Sequence, residues 1–362
     1  MSDREQWGTR LGFILAAVGS AIGLGNIWRF PYMVYDNGGG AFLVPYFFAL
    51  LTAGIPIVIL EFGMGHKYKG SAPKAFFNAI KKWEWLGWWQ VLVAFVISIY
   101  YVVVIAWALN YTLIATNLGW GKDTAEFFTQ EFLKSSSGPL ELGGIVWPVF
   151  IASLVVWLII WYVNFSGVKK GIESANKIFM PVLLILLLVM LGRAVTLEGA
   201  AMGVDWLFKP DFSVIWDYNV WAAAYGQIFF TLSICFAIMI TFSSYLPKKS
   251  DINNNALMAS FINCGFSLLA GVMVFGVLGY MAVQQDVPIE EVVQGGVGLA
   301  FITIPKAINL LPAAEFFGFL FFLSLVFAGL SSMVSIVEAS CSALIDKYHW
   351  NRKPTVTFFC LF

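Results

Sequence analysis

The sequence predicts an all-α polytopic membrane protein, with residues 1–362 forming a single transmembrane unit and little left over for a soluble domain. Composition is the first reason: 60% of the 362 residues are hydrophobic and only 12% are charged, with a mean hydropathy of +0.81, more apolar surface than soluble domains bury. The second is that the apolar residues gather in runs long enough to cross a hydrocarbon core, about 20 residues each as helix. The third is the balance of 21 basic and 21 acidic residues. Zero net charge removes the basic excess that nucleic-acid binding needs, so the partner in view is the lipid bilayer and no nucleic acid.

Eight runs of spanning length follow in order, at residues 11–35, 41–65, 86–118, 144–163, 174–193, 219–246, 255–283 and 315–345. Arg4 and Arg10 precede the first, which lacks the short apolar core and cleavage site of a signal peptide. With a cytoplasmic N-terminus, only Arg29, Lys122, Lys134, Arg193, Lys209 and Lys306 of the 21 basic residues lie outward. That bias predicts this orientation for a multi-pass protein of the cell (inner) membrane.

Two outward connections are too long for turns. Residues 119–143 carry Asp123, Glu126, Glu131 and Glu141; residues 284–314 read as two short helical pieces around Pro305, suited to act as a lid. After Pro354 an apolar run starts at Thr355 and the sequence stops at Phe362. As helix this piece rises only about 14 Å against a core of about 30 Å, so it cannot cross, and the sequence looks truncated. Cys235, Cys264, Cys341 and Cys360 lie inside apolar runs and read as small buried hydrophobes. His66 and His349 are far apart in charged loops, which argues against a His-based catalytic or metal cluster.

Two spans carry polar interruptions. The first contains A-V-G-S-A-I-G-L-G-N-I-W-R-F-P from Ala17, with Gly19, Gly23 and Gly25 ahead of Asn26, Arg29 and Pro31. Clustered glycines and a polar side chain at mid-membrane depth predict a locally unwound helix, tolerated where freed backbone groups line a buried cavity. A plain packing face, with Gly19 and Gly23 as a G-x-x-x-G pair, explains neither Asn26 nor Arg29. The sixth span is interrupted around Tyr225, Gly226, Gln227, Phe230, Thr231 and Ser233; here Ser and Thr bonding back to their own helix is the bland alternative. The two interruptions lie five spans apart, the arrangement that marks a substrate and ion site in inverted-repeat transporters. Broken helices offer bare N–H groups to a carboxylate and freed carbonyl oxygens to a hard cation such as sodium.

These strings, with N-G-G-G-A-F from Asn37, G-Q-I-F-F-T-L-S from Gly226 and F-A-G-L-S-S from Phe327, resemble the neurotransmitter:sodium symporter family in its bacterial amino-acid transporter branch. The resemblance runs from Trp7 to the end. It implies the leucine-transporter fold: inverted five-helix repeats with helices one and six broken, 11–193 as the first repeat and 219–362 as an incomplete, C-terminally truncated second. It also implies sodium-coupled symport of an amino acid by alternating access, with no enzymatic activity.

Two sodium (Na+) sites follow from the resemblance. The first would use Ala21, Asn26, Thr231 and Asn263, completed by the substrate carboxylate; the second would use Gly19, Ile22, Ala328, Ser331 and Ser332. Gly23 stands where monoamine-transporting relatives have an aspartate, so the anion must come with the substrate. Tyr101 and the N–H groups of Leu24 and Gly25 would meet its carboxylate, and carbonyls of Ala21, Phe230, Thr231 and Ser233 its ammonium. Ile97, Phe230, Phe236, Ser233, Ser332 and Ile336 would contact the side chain. This largely apolar set predicts a neutral, apolar amino acid, because burying an unpaired charge there costs several kcal/mol.

The same resemblance gives gates. Phe230 and Tyr101 would cap the pocket, and Arg29 would pair with an acid of a tenth helix that this sequence does not contain. On the inner side Arg4, near Trp7, would pair with Asp346, with Tyr245 in the network; from sequence alone, two solvated flanking charges is the simpler reading of Arg4 and Asp346. Ser267 stands where some bacterial relatives have a glutamate, so Tyr46, Gln227, Thr231, Asn263 and Ser267 would form a chloride (Cl-) site. Glu61 or proton antiport are the alternatives. A passive channel should show selectivity-loop repeats or rings of like charge, and neither is visible. A membrane-embedded enzyme should show paired carboxylates or a His/Cys cluster, whereas Glu61, Glu173 and Glu338 are scattered. A fragment that transports nothing is a further alternative, and the oligomeric state is open.

Overall fold

The computed structural model describes residues 4–136, 138, 141, 143–292 and 295–361. Among the described residues, six helices are long and apolar enough to cross a membrane: Gly40–Tyr68, Lys81–Asn117, Trp147–Phe165, Val168–Ala194, Ile252–Gln285 and Ala314–Tyr348. They are the second, third, fourth, fifth, seventh and eighth spans. The first is a bent pair, Arg10–Ala21 and Gly25–Asp36, with 55° between the halves. The sixth is Tyr218–Thr231 and Ile238–Ser244, parted by residues 232–237.

Burial orders the bundle. In the eighth span 89% of the most apolar stretch is buried, against 28% in the fourth, so the eighth is central and the fourth peripheral. Glycines allow the closest approaches. A β-carbon at Gly65 would stand 1.9 Å from the Ile240 carbonyl oxygen, so the second half of the sixth span packs backbone-on-backbone against the second.

Several expectations need correction. The interruption of the sixth span lies beyond Gly226 and Gln227, both of which are helical; the chain unwinds at 232–237, where Ser233, Cys235 and Ala237 all take left-handed φ of 52°, 65° and 63°. Cys235 is exposed and Cys360 half-buried rather than buried hydrophobes, while Cys264 and Cys341 are buried. Pro305 does not divide the 284–314 connection. It sits inside one helix, Leu299–Ile308, and the helical pieces part around Gly296, at φ 62°. The 119–143 connection is partly helical, over Thr124–Glu126 and Phe127–Phe132. The last helix, Arg352–Leu361, begins two residues before Pro354, and Phe362 lies outside the described residues.

Candidate functional site

Each break is held by groups that replace the lost helical bonds. Thr9 caps the first span by accepting the Gly12 N–H, and the helix ends at Ala21. Beyond the break, the Gly23 N–H donates to Asn26 Oδ1 at 2.9 Å, and the Leu24 N–H to the Tyr101 hydroxyl at a long 3.4 Å. In the sixth span the Cys235 N–H donates to Glu61 Oε1 at 3.0 Å. The Ser233 hydroxyl donates to the Ser20 carbonyl at 3.2 Å, so one break braces the other.

The breaks flank a cavity of about 270 Å3, below the roughly 300–1,000 Å3 of sites for drug-sized ligands. It is lined by all twelve residues expected around a substrate: Ala21, Gly23, Leu24, Gly25, Ile97, Tyr101, Phe230, Thr231, Ser233, Phe236, Ser332 and Ile336. Ser20, Trp28, Tyr100, Val104, Ile238 and Val297 also line it and were missed. Val104 follows Ile97 by seven residues and was legible from helical spacing; Val297 comes from the distant lid loop and carried no signal. The glycines leave no slack. A β-carbon at Gly23 would lie 2.9 Å from Ser332 Oγ and 3.0 Å from the Tyr101 hydroxyl, and one at Gly25 only 2.4 Å from the Phe230 ring.

Beside the cavity four buried polar side chains converge. Asn26 Nδ2 donates to Thr231 Oγ1 at 3.0 Å, Asn263 Oδ1 at 2.9 Å and Ser267 Oγ at 2.8 Å, and Asn263 Nδ2 donates to Thr231 Oγ1 at 3.1 Å. Three residues of the first sodium expectation and Ser267 of the chloride expectation thus share one cluster. Of the other chloride candidates, the buried Tyr46 hydroxyl donates to Cys264 Sγ at 3.2 Å and also interacts with Ser267, while Gln227 Oε1 accepts from Arg29. Gln227 Nε2 has no partner among the described residues. A second convergence lies at Ser332, whose hydroxyl is 3.3 Å from the Gly19 carbonyl, 3.3 Å from that of Ser20 and 3.4 Å from that of Ile22. Ser331 bonds back to Ala328 O at 2.9 Å.

Toward the Arg4 end the site is sealed. Arg4 Nη1 bonds both Asp346 oxygens at 2.8 and 2.9 Å, its Nε donates to Ser244 Oγ, and its guanidinium lies 4.9 Å from the Tyr245 ring centre. Lys74 and the Ser71 N–H also reach Asp346, whose side chain is 8% exposed, so the reading of two solvated charges is wrong. Trp7 donates its indole N–H to Phe242 O at 2.8 Å. Tyr245 donates to Glu338 at 2.6 Å, and Glu338 is paired with Arg352. Lys69, just past the second span, sits with its ammonium pKa lowered by burial first and then by the positive charges of Arg4 and Lys248.

At the opposite end Arg29 donates to Gln227 and lies 5.0 Å from the Phe230 ring centre. The helix Leu299–Ile308 sets Phe301 against Trp28 at 6.0 Å, Tyr111 at 5.1 Å and Phe128 at 5.4 Å between ring centres. Thr124 Oγ1 donating to Ile302 O, and Trp120 Nε1 to Asn309 Oδ1, clasp the two long connections together.

Comparison with known proteins agrees with this geometry. A model described as the sodium:neurotransmitter symporter family matches residues 4–124 and 121–362. An uncharacterized sodium-dependent transporter of Methanocaldococcus jannaschii is 53% identical over 98% of this chain and 72% of its own length. The sodium- and chloride-dependent GABA transporter 2 of Bos taurus is 34% identical over 96% of this chain and 62% of its own. The crystal structure of MhsT in complex with L-phenylalanine superposes with a TM-score of 0.84 at 34% identity, covering 99% of this chain and 78% of that one. The chain belongs to the sodium:neurotransmitter symporter family, a family of secondary transporters and not of enzymes.

Proposed function

We propose that this chain forms the binding core of a sodium-coupled symporter for a neutral, apolar amino acid, working by alternating access across the cell membrane with its N-terminus in the cytoplasm. The observation that carries the reading is Asn26, fully buried and tying the break of the first span to Thr231 at the break of the sixth, at the edge of the cavity. Sodium at this cluster would meet amide and hydroxyl oxygens, with the substrate carboxylate supplying the negative charge that Gly23 does not. A second sodium would lie among the carbonyls of Gly19, Ile22 and Ala328 and the hydroxyls of Ser331 and Ser332. Tyr101 and the N–H groups of Leu24 and Gly25 would hold the carboxylate. Ile97, Phe236 and Ile336 would contact the apolar side chain. A chloride near Ser267 and Gln227 is favoured by the unpartnered Gln227 amide N–H donors, and offsets part of the sodium charge.

We read the two halves, 11–193 and 219–362, as inverted repeats. In this reading the Arg4–Asp346 pair closes the cytoplasmic side, and Phe230, Tyr101 and the lid close the outer side. MhsT holding L-phenylalanine supports an amino-acid substrate. The test is binding of a panel of labelled amino acids to purified protein with and without sodium. Sodium-dependent binding of apolar members, and not charged ones, is expected; no sodium dependence for any amino acid overturns the reading.

A further inference from the structure

Asn176, in the fifth span, is fully buried. Its Nδ2 donates to the Ile172 carbonyl at 2.9 Å, one turn back, which fixes the amide and leaves Oδ1 directed away from that bond. Among the described residues Oδ1 has no hydrogen-bond donor. It is pressed against Gly19: a β-carbon there would lie 2.4 Å from Asn176 Oδ1 and 2.9 Å from Met180 Sδ. The Gly19 carbonyl is in turn 3.3 Å from the Ser332 hydroxyl, inside the second cation cluster.

An uncompensated buried amide oxygen is unfavourable, and an apolar side chain of the same size would serve packing better. An amide oxygen is also a neutral, hard ligand of the kind that suits an alkali or alkaline-earth cation. Ser20, the neighbour of Gly19, likewise has a buried hydroxyl without a partner. Two unsatisfied oxygens therefore lie beside Gly19, whose carbonyl the second sodium would use.

We propose that Asn176 is a further sodium-binding residue, its Oδ1 receiving the second-site cation on the fifth-span side of Gly19. The proposal rests on the sodium-symport reading above. Asn176 does not line the substrate cavity, so its contribution falls on the ion and not on the amino acid. Its aim is set through Ile172, in the wide turn Val168–Glu173, so a change in that turn would redirect the oxygen.

The test is a sodium titration of labelled L-phenylalanine and L-leucine binding to purified wild type, Asn176→Leu and Asn176→Asp, with melting temperature followed as sodium is added. Asn176→Leu keeps the volume and removes the oxygen. It is expected to raise the sodium half-saturation about ten- to hundredfold and to blunt the sodium-induced rise in melting temperature, leaving amino-acid affinity at saturating sodium unchanged. Asn176→Asp retains an oxygen there and is expected to keep wild-type sodium affinity or better. Sodium dependence in wild type that is unaltered in Asn176→Leu overturns this proposal alone. A substrate affinity that falls in both variants at saturating sodium, with the sodium midpoint unmoved, also overturns it. Absence of sodium dependence in wild type overturns the functional reading itself.

Discussion

The side-chain amide of Asn26 donates to the hydroxyl of Thr231 across 3.0 Å, joining two helix breaks that lie 205 residues apart in the chain. Because both also touch Asn263, the three behave as one unit. Thr231→Val keeps the shape and removes the oxygen, and is expected to raise the sodium half-saturation about tenfold or more. Asn26→Ala should do the same. The double variant should fall short of the sum of the two, which a double-mutant cycle on sodium binding checks.

Gly23 faces the cavity with Ser332 Oγ and the Tyr101 hydroxyl within about 3 Å of any β-carbon. Gly23→Ala should weaken amino-acid binding at least about tenfold, since two oxygens set in place must give way to a methyl group. Gly23→Asp should abolish it, because its carboxylate would occupy the place of the substrate's own. Equilibrium binding with labelled substrate decides both.

Asp346 takes bonds from Arg4, Lys74 and the Ser71 N–H while its side chain is only 8% exposed. Asp346→Asn leaves two partly buried cations short of a counter-charge, a loss of roughly 1–3 kcal/mol between the exposed and fully buried limits. Hydrogen exchange across residues 7–12 should quicken, as the N-terminal segment loses its anchor. Unchanged exchange there would show that the pair does not close this side.

Cys235 is exposed and holds φ at 65°, a conformation that costs an L-residue about 1–2 kcal/mol. Cys235→Gly relieves that strain without emptying a packed site, and is expected to stabilise the protein by about 1 kcal/mol. Thermal unfolding should show a higher Tm, with the Glu61 contact to the backbone N–H retained.

Replacing chloride by gluconate is expected to lower sodium-dependent amino-acid uptake severalfold, since Ser267 brings no charge of its own to the buried cluster. Full uptake in gluconate would sink the chloride reading and return attention to Glu61.

What could be read in advance follows from where information sits in a chain. The spans were legible because a bilayer crossing is a long local signal. The first break was legible because Gly23, Gly25 and Asn26 are neighbours in sequence. The second was placed too early: Gly226 looks like a helix breaker but is an ordinary helical residue, whereas the chain turns left-handed at Ser233, Cys235 and Ala237, none of which is glycine. Propensity is overridden there by tertiary braces from Ser20 and Glu61. Arg4 and Asp346 are 342 residues apart, and Val297 reaches the cavity only because Phe301 is held among rings from the first and third spans and the connection after the third. No local pattern encodes such closures.

The ring of Phe230 lies so close to Gly25 that a single added carbon would collide with it. Drift in substrate preference has no room at Gly23 or Gly25, where an added carbon meets Ser332, Tyr101 or the Phe230 ring. It is open at Ile97 and Ile336, which project from unbroken helices and can change size without disturbing a turn. A lineage of such proteins would therefore change its diet most easily through two helices that do not bend, while these two glycines stay constant.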